Sequence, residues 1–197
     1  MGYLHGQYVY QRRVTVLVEH LAGVIPPNAT VLDVGCGDGL LARRLIHRRA
    51  DLQITGIDVK VRAGTHIHVD PFDGSHIPWA DESFAVVMFV DTLHHTNDPE
   101  VLLREAKRVS QQAIVIKDHL RDGWLAYPCL RCMDWVGNAR HGVSLPYNYW
   151  TRNQWFDAFM TLNLRVEVWK AKLHLNPPLL GWLFDRSLHF ISLLRCR

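Results

Sequence analysis

The sequence predicts an α/β fold in which helices cover both faces of a mostly parallel sheet. Three observations carry this. Apolar runs of strand length alternate with helix-length amphipathic segments. One run, Phe84 to Val90, is apolar without a break, as expected of a central strand buried on both faces. The run Ala29 to Val34 leads straight into a glycine-rich turn, Gly35 to Gly39, that opens a helix.

Taken in order, Tyr8 to Leu21 reads as an amphipathic helix, because Val14, Leu17, Val18 and Leu21 recur three or four apart, and Pro26-Pro27-Asn28 stops it. Ala29 to Val34 is a buried strand. Leu40 to Arg49 is a helix whose Arg43, Arg44 and Arg48 form a solvated face. Gln53 to Ile57 is the second strand and His66 to Val69 a short third. Asp70 to Asp81, with its Pro, Gly and Ser, is a loop. After the central strand, Asp98 caps a helix with Pro99 at its first position, running to about Val109. Gln112 to Lys117 is a fifth strand. Residues 119–150 show no simple period. Thr151 to Leu162 is a helix capped by Thr151, and Leu164 to Leu175 and Arg186 to Leu194 read as strands.

Composition excludes several classes. The chain has 197 residues, 48% hydrophobic and 21% charged, enough for a packed core without cross-links and unlike a disordered chain. Mean hydropathy is −0.05, and no apolar run reaches the ~20 residues of a membrane-spanning helix. The first residues carry no apolar leader, so the expected compartment is the cytoplasm. Net charge is +3, too little to imply nucleic-acid binding. Its distribution is uneven: residues 51–150 carry nine Lys/Arg against thirteen Asp/Glu, while both flanks are basic. The middle therefore suits a cationic ligand. Cys36, Cys129, Cys132 and Cys196 read as free thiols. Cys129 and Cys132 form a lone CxxC. Zinc there would need two more ligands, with His141 and His119 the nearest, so no metal site is expected. The apolar segment Pro177 to Cys196 could lie at a membrane interface, but a strand pair is the simpler reading.

The strongest motif is Val31-Leu-Asp-Val-Gly-Cys-Gly-Asp-Gly39. Its glycines permit close backbone approach to a ligand. The spacing is not the G-x-G-x-x-G of dinucleotide-binding turns, which disfavours a nicotinamide oxidoreductase. An acid, Asp33, stands two residues before the first glycine and suits a ligand bearing an ammonium group better than a pyrophosphate. Three further stretches follow in order: Gly56-Ile57-Asp58-Val59, Asp73-Gly74-Ser75-His76-Ile77-Pro78-Trp79 leading into Asp81-Glu-Ser-Phe-Ala-Val-Val87, and Leu93-His94-His95-Thr-Asn-Asp-Pro99. Together these resemble the class I S-adenosylmethionine-dependent methyltransferases, in particular the small-molecule "type 11" branch. Ala85 departs from that pattern, where an aspartate is usual. The resemblance is close over residues 29–118.

It implies a Rossmann-like αβα sandwich with a seven-stranded, mostly parallel sheet whose last strand is antiparallel. It implies S-adenosylmethionine as cofactor, with S-adenosylhomocysteine as product. Asp33, Gly35, Cys36, Gly37 and Gly39 would hold the methionine and ribose parts, and Asp58 the ribose hydroxyls. Val59 would lie against adenine, Asp73 with Gly74 would meet the adenine amino group, and Asp91 would stand at the methionine end. The expected layout is one domain over 1–197: a helical lid (1–28), a cofactor-binding half (29–118), a substrate insertion (119–150) and a C-terminal helix and strand pair (151–197). Methyl transfer needs a base only if the acceptor must lose a proton. His95 is the first candidate and His119 the second, with Asp118 as its orienter. Packing or capping roles for the histidines stay open. His94, Trp124, Asp134, Asn138, His141, Tyr147 and Tyr149 are candidates to contact the acceptor; Asp134, Asn138 and His141 would share a face if their segment is helical. The expected function is methyl transfer to a small organic acceptor, with a catalytically silent binding domain as the alternative. A nucleic-acid substrate is disfavoured, because Val90-Asp91-Thr92 stands where an N-P-P-Y/F motif would be.

Overall fold

The computed structural model describes residues 2–138, 146–175 and 188–196. The elements are α1 (Gly2–Ala22), β1 (Thr30–Val34), α2 (Leu40–Arg48), β2 (Gln53–Asp58), β3 (Val69–Pro71), β4 (Phe84–Val90), α3 (Pro99–Val109), β5 (Ser110–His119), α4 (Ala126–Asn138), α5 (Arg152–Thr161), β6 (Leu164–Lys170) and β7 (His189–Cys196), with a 3-10 turn at Leu93–His95. The seven strands form one sheet in the order β3-β2-β1-β4-β5-β7-β6. Neighbours from β3 to β5 pair in parallel, and β7 runs antiparallel to both β5 and β6. This is the expected sheet, inverted strand included.

Two hydrophobic layers clamp the sheet. One joins Val87, Phe89, Ile114 and Ile116 to α3 and α5 through Leu102, Leu103, Trp155 and Phe159. The other joins Val86, Met88, Ala113 and Val115 to α1 through Val14, Leu17, Val18 and Leu21. Every side chain from Phe84 to Phe89 is buried, which explains the unbroken apolar run. Both foreseen caps form. Asp98 accepts from Glu100 N with Pro99 at the first helical position, and Thr151 makes a capping box with Gln154.

Several boundaries move, among them those of the fifth strand, which is Ser110–His119 rather than Gln112 to Lys117. α1 begins at Gly2 rather than Tyr8. The third strand is Val69–Pro71 rather than His66–Val69; it lies at the sheet edge, where the missing N–H of a proline is tolerated. The expected strand from Leu164 ends at Lys170. Leu173 and Leu175 are nonetheless buried, in the α1 layer, and His20 Nε2 lies 3.1 Å from the Leu173 carbonyl oxygen. Their spacing reflects packing without strand pairing. The strand expected from Arg186 begins at His189. Within the stretch that showed no period stands α4. The interface reading of Pro177 to Cys196 falls partly on residues 176–187, which lie outside the described residues; the rest is β7.

Arg108 fixes the loop after β3. Its guanidinium donates to the Ile77 and Trp79 carbonyls at 2.9 and 2.8 Å, to Asp81 at 2.9 Å and to Glu105 at 2.7 Å. Glu105 in turn accepts from Ile77 N at 2.9 Å. Arg108→Ala is expected to lower stability by about 1–3 kcal/mol, since it strips charged partners from two carbonyls and two carboxylates. Urea unfolding of the two proteins measures it; equal midpoints would show the loop to be held by other contacts.

Candidate active site

The glycine turn leaves β1 at its carboxyl end, where open α/β sheets take their ligands. Gly35 has φ +74°, and a Cβ there would stand 2.4 Å from Thr92 Cγ2. Gly39 has φ +73°, and a Cβ would stand 2.5 Å from Ile67 Cγ1. These two glycines therefore answer to backbone conformation and protein packing. The Gly37 N–H donates to Asp58 Oδ2 at 2.8 Å, and the Lys60 N–H to Asp58 Oδ1 at 2.9 Å, so the second strand's acid anchors the turn.

Beside the turn lies a cavity of about 250 Å³. Asp33, Gly35, Cys36, Gly37 and Asp38 form its floor, Val90 and Asp91 one side, and Tyr10, Arg13, Val14 and Leu17 of α1 its cover, with Leu41 and Arg62 completing it. Asp33 is buried, and burial, then the charge of Asp58, pushes its carboxyl up to about 7. Burial and Asp33 likewise push the Cys36 thiol up, which keeps it protonated and inert. Val59 is 64% exposed just past β2. A Cβ on Gly74 would lie 3.1 Å from Val59 Cγ1, so these two positions adjoin. Asp73 is exposed and accepts from Ser75 N, Ser75 Oγ and His76 N, all on Oδ1.

At the carboxyl ends of β4 and β5 lies a buried polar network. Asp91, at φ +55°, forms ion pairs with Arg13 at 2.7 Å and with Lys117. Burial raises the Asp91 carboxyl, but Lys117 and Arg13 outweigh it and hold it well below the usual range. Its charge is thus already met. Burial pulls the Lys117 ammonium down to about 8. Asp118 is completely buried and accepts from Leu93 N at 3.0 Å, His119 N at 2.7 Å and His94 Nδ1 at 2.6 Å. His119 Nδ1 lies 3.3 Å from the same carboxylate, so the tighter dyad is His94–Asp118. His94 is pushed up to about 10: burial opposes its charge, but Asp118 and Asp134 outweigh burial. His119 is pulled down to about 4 by burial and by His94. Burial and His94 also pull His95 down, leaving a neutral ring able to accept a proton.

The insertion contributes unevenly. Tyr149 is buried and donates its hydroxyl hydrogen to Asp134, whose Oδ2 lies 3.4 Å from His94 Nε2. Asn138 ends α4, four residues after Asp134, while His141 lies outside the described residues. Tyr147, at φ +54°, packs beside Tyr149 and under the Arg131 guanidinium. Trp124 is 90% exposed and does not line the described cavity. Cys129 and Cys132 are free thiols, and neither joins a potential metal-ligand group among the described residues. Sequence reasoning missed Arg13 and His189.

A family model described as a methyltransferase domain matches residues 32–113. The chain is 32% identical over 110 residues to 27-O-demethylrifamycin SV methyltransferase of Amycolatopsis mediterranei, a match covering 48% of this chain and 40% of that protein. It is 29% identical over 140 residues to 2-methyl-6-phytyl-1,4-hydroquinone methyltransferase of Synechocystis, covering 65% of this chain and 38% of that protein. It is 30% identical over 125 residues to a tRNA1(Val) (adenine(37)-N6)-methyltransferase of Vibrio parahaemolyticus, covering 58% and 50%. The matches thus span half or less of these relatives' own lengths. In fold, it superposes on a crystal structure of an S-adenosylmethionine-dependent methyltransferase from Mesorhizobium loti with a TM-score of 0.68 at 17% identity, covering 90% of this chain and 96% of that one. No helix among the described residues is long and apolar enough to cross a membrane.

Proposed function

We propose that the chain, whose residues 32–113 match a family model described as a methyltransferase domain, is an S-adenosylmethionine-dependent methyltransferase acting on a small organic acceptor. The observation that carries this is the cavity at the ends of β1 and β4, floored by the glycine turn and the buried carboxyl of Asp33. The cofactor supplies a methyl group already activated on a sulfonium, so in-line displacement asks the protein chiefly for positioning and exclusion of water.

The residues present fit that cofactor. Asp33 offers a buried carboxylate to a cationic group, and the turn from Gly35 to Gly39 leaves backbone close to the ligand. Asp58 uses one lone pair of each oxygen on backbone N–H groups and keeps others for the ribose hydroxyls. The adjoining Val59 and Gly74 give adenine a flat apolar seat, and Asp73 Oδ2 is left for its amino group. About 250 Å³ is small for a drug-sized ligand, so the cavity suits the methionine end, with adenine lying outside it over Val59. The α1 residues Tyr10, Arg13, Val14 and Leu17 cover the cavity and act as its lid. His95, a neutral base, stands on the 3-10 turn after β4. A small acceptor rather than a nucleic acid is favoured by the acidic middle of the chain and by the sequences of two relatives whose names record small acceptors.

Calorimetric titration tests the reading. S-adenosylmethionine and S-adenosylhomocysteine are expected to bind and NADH is not; binding of NADH alone would overturn it. Asp58→Ala is expected to weaken S-adenosylmethionine binding about 10- to 100-fold, the loss of charged hydrogen bonds to paired hydroxyls. Unchanged affinity would remove Asp58 from the site.

A further inference from the structure

Among the described residues, three groups of side chains at the ends of β4 and β5 bring three potential metal ligands together: Asp91, His119 and His189; His94, Asp118 and His119; and His94, His95 and Asp134. In the first, the Lys117 ammonium already sits against Asp91, 3.4 Å from His189 Nδ1, and takes the place of a cation. In the second, His94 Nδ1 and His119 Nδ1 both lie within hydrogen-bond reach of Asp118 Oδ1 at 2.6 and 3.3 Å, so the ligand atoms are partnered with one another.

The third group differs. His94 is 2% exposed, yet its Nε2 has no hydrogen-bond partner among the described residues, and neither has the buried Nδ1 of His95. A buried imidazole nitrogen left in this way calls for a partner. One ring nitrogen of each histidine and a carboxylate oxygen of Asp134 stand within 4.8 Å of one another. His94 Nε2 and Asp134 Oδ2 are 3.4 Å apart. Tetrahedral ligands at about 2.0–2.1 Å from an ion stand about 3.4 Å from one another, so this edge already has the right length.

The surroundings are those of a metal-binding histidine. Asp118 takes the Nδ1 hydrogen of His94, which orients the ring and turns Nε2 toward Asp134. Tyr149 donates to the Asp134 carboxylate and orients it in turn.

We propose that His94 Nε2, His95 Nδ1 and Asp134 Oδ2 form a site for one divalent ion of the zinc class. The ion takes the lone pairs of both imidazole nitrogens, so its binding competes with protons there. Two histidines and one carboxylate leave a fourth position open. Its use, ligation of an ionisable oxygen or sulfur of the acceptor in place of proton removal by His95, rests on the methyltransferase reading above; the site itself does not.

The test is titration of the full chain with Zn²⁺ by calorimetry and with Co²⁺ by visible absorption, without any methyl donor. One equivalent is expected, with tetrahedral Co²⁺ bands. His95→Ala and Asp134→Asn are each expected to weaken binding at least 100-fold, and the double Cys129→Ser, Cys132→Ser variant to bind as the parent does. Far-UV circular dichroism and S-adenosylmethionine titration of the same variants show whether they fold, so failure of this site and failure of the methyltransferase reading stay distinguishable. Absence of binding in the parent would overturn the proposal, as would binding lost with the cysteines but kept in folded His95→Ala.

Discussion

Asp118→Ala is expected to destabilise the protein by about 3–5 kcal/mol, the cost of removing one partner from a buried charged pair. Asp118 is completely buried and serves several donors at once: the backbone N–H groups of Leu93 and His119, and the His94 ring. Without it, two backbone donors lose their partner and His94 keeps its charge with only Asp134 nearby at 3.4 Å. The 3-10 turn at Leu93–His95 is pinned to β5 through this carboxylate, so the turn is expected to loosen as well. Asp118→Asn keeps the volume and an acceptor oxygen but loses the charge, and its loss should be smaller. For a chain of this size the alanine variant's thermal midpoint should fall by about 6–20 °C. Paired urea and thermal unfolding measure both; an alanine variant within 1 kcal/mol of the parent would mean that water or a neighbouring group replaces the carboxylate.

That network shows where sequence reading stops. The glycine turn, the unbroken run Phe84 to Val90, and the caps at Asp98 and Thr151 are local: each follows from residue types a few positions apart, and each is found where the spacing puts it. The pairing of His94 with Asp118 is not local. It depends on the parallel register that sets Val90 beside Lys117, and so brings the ends of β4 and β5 level. The sequence offered Asp118 as orienter of His119, its neighbour in the chain, whereas the fold gives its shortest ring contact to His94. Arg13 was one polar position on an amphipathic helix until α1 was laid across the sheet. Aromatic richness was a coarse signal for the insertion: Tyr149 is buried against Asp134, while Trp124 points away from the described cavity. The glycines were legible as a turn, but the cause at Gly35 and Gly39 is contact with Thr92 and Ile67, side chains distant in sequence.

Asp33→Asn should separate the demands of the site from those of the fold. Asp33 is 2% exposed, and burial followed by Asp58 pushes its carboxyl up to about 7, against about 3.9 in an unfolded chain. The folded protein therefore holds more protons than the unfolded one between about pH 4 and 7. Stability linked to Asp33 is fully present below about pH 4, declines as pH rises, and is lost above about 7. Asparagine has nearly the same shape and no charge to bury. The variant is thus expected to be more stable than the parent at pH 8, by an amount that shrinks toward pH 5; urea unfolding at the two pH values measures it. Binding should move the other way. A cationic ligand group beside Asp33 favours the ionised form, so parental affinity for S-adenosylmethionine should rise with pH up to about 7, with proton release on binding. The asparagine variant should bind about 10- to 100-fold more weakly at pH 8, without that proton release. Calorimetry at pH 6 in two buffers of different ionisation enthalpy reads the proton directly. Equal affinities at pH 8, or a stability difference that does not change with pH, would mean that Asp33 neither meets the cofactor nor carries the cost of burial. A buried carboxyl that weakens the empty fold and strengthens the loaded one is the arrangement expected where binding, rather than folding, determines the residue.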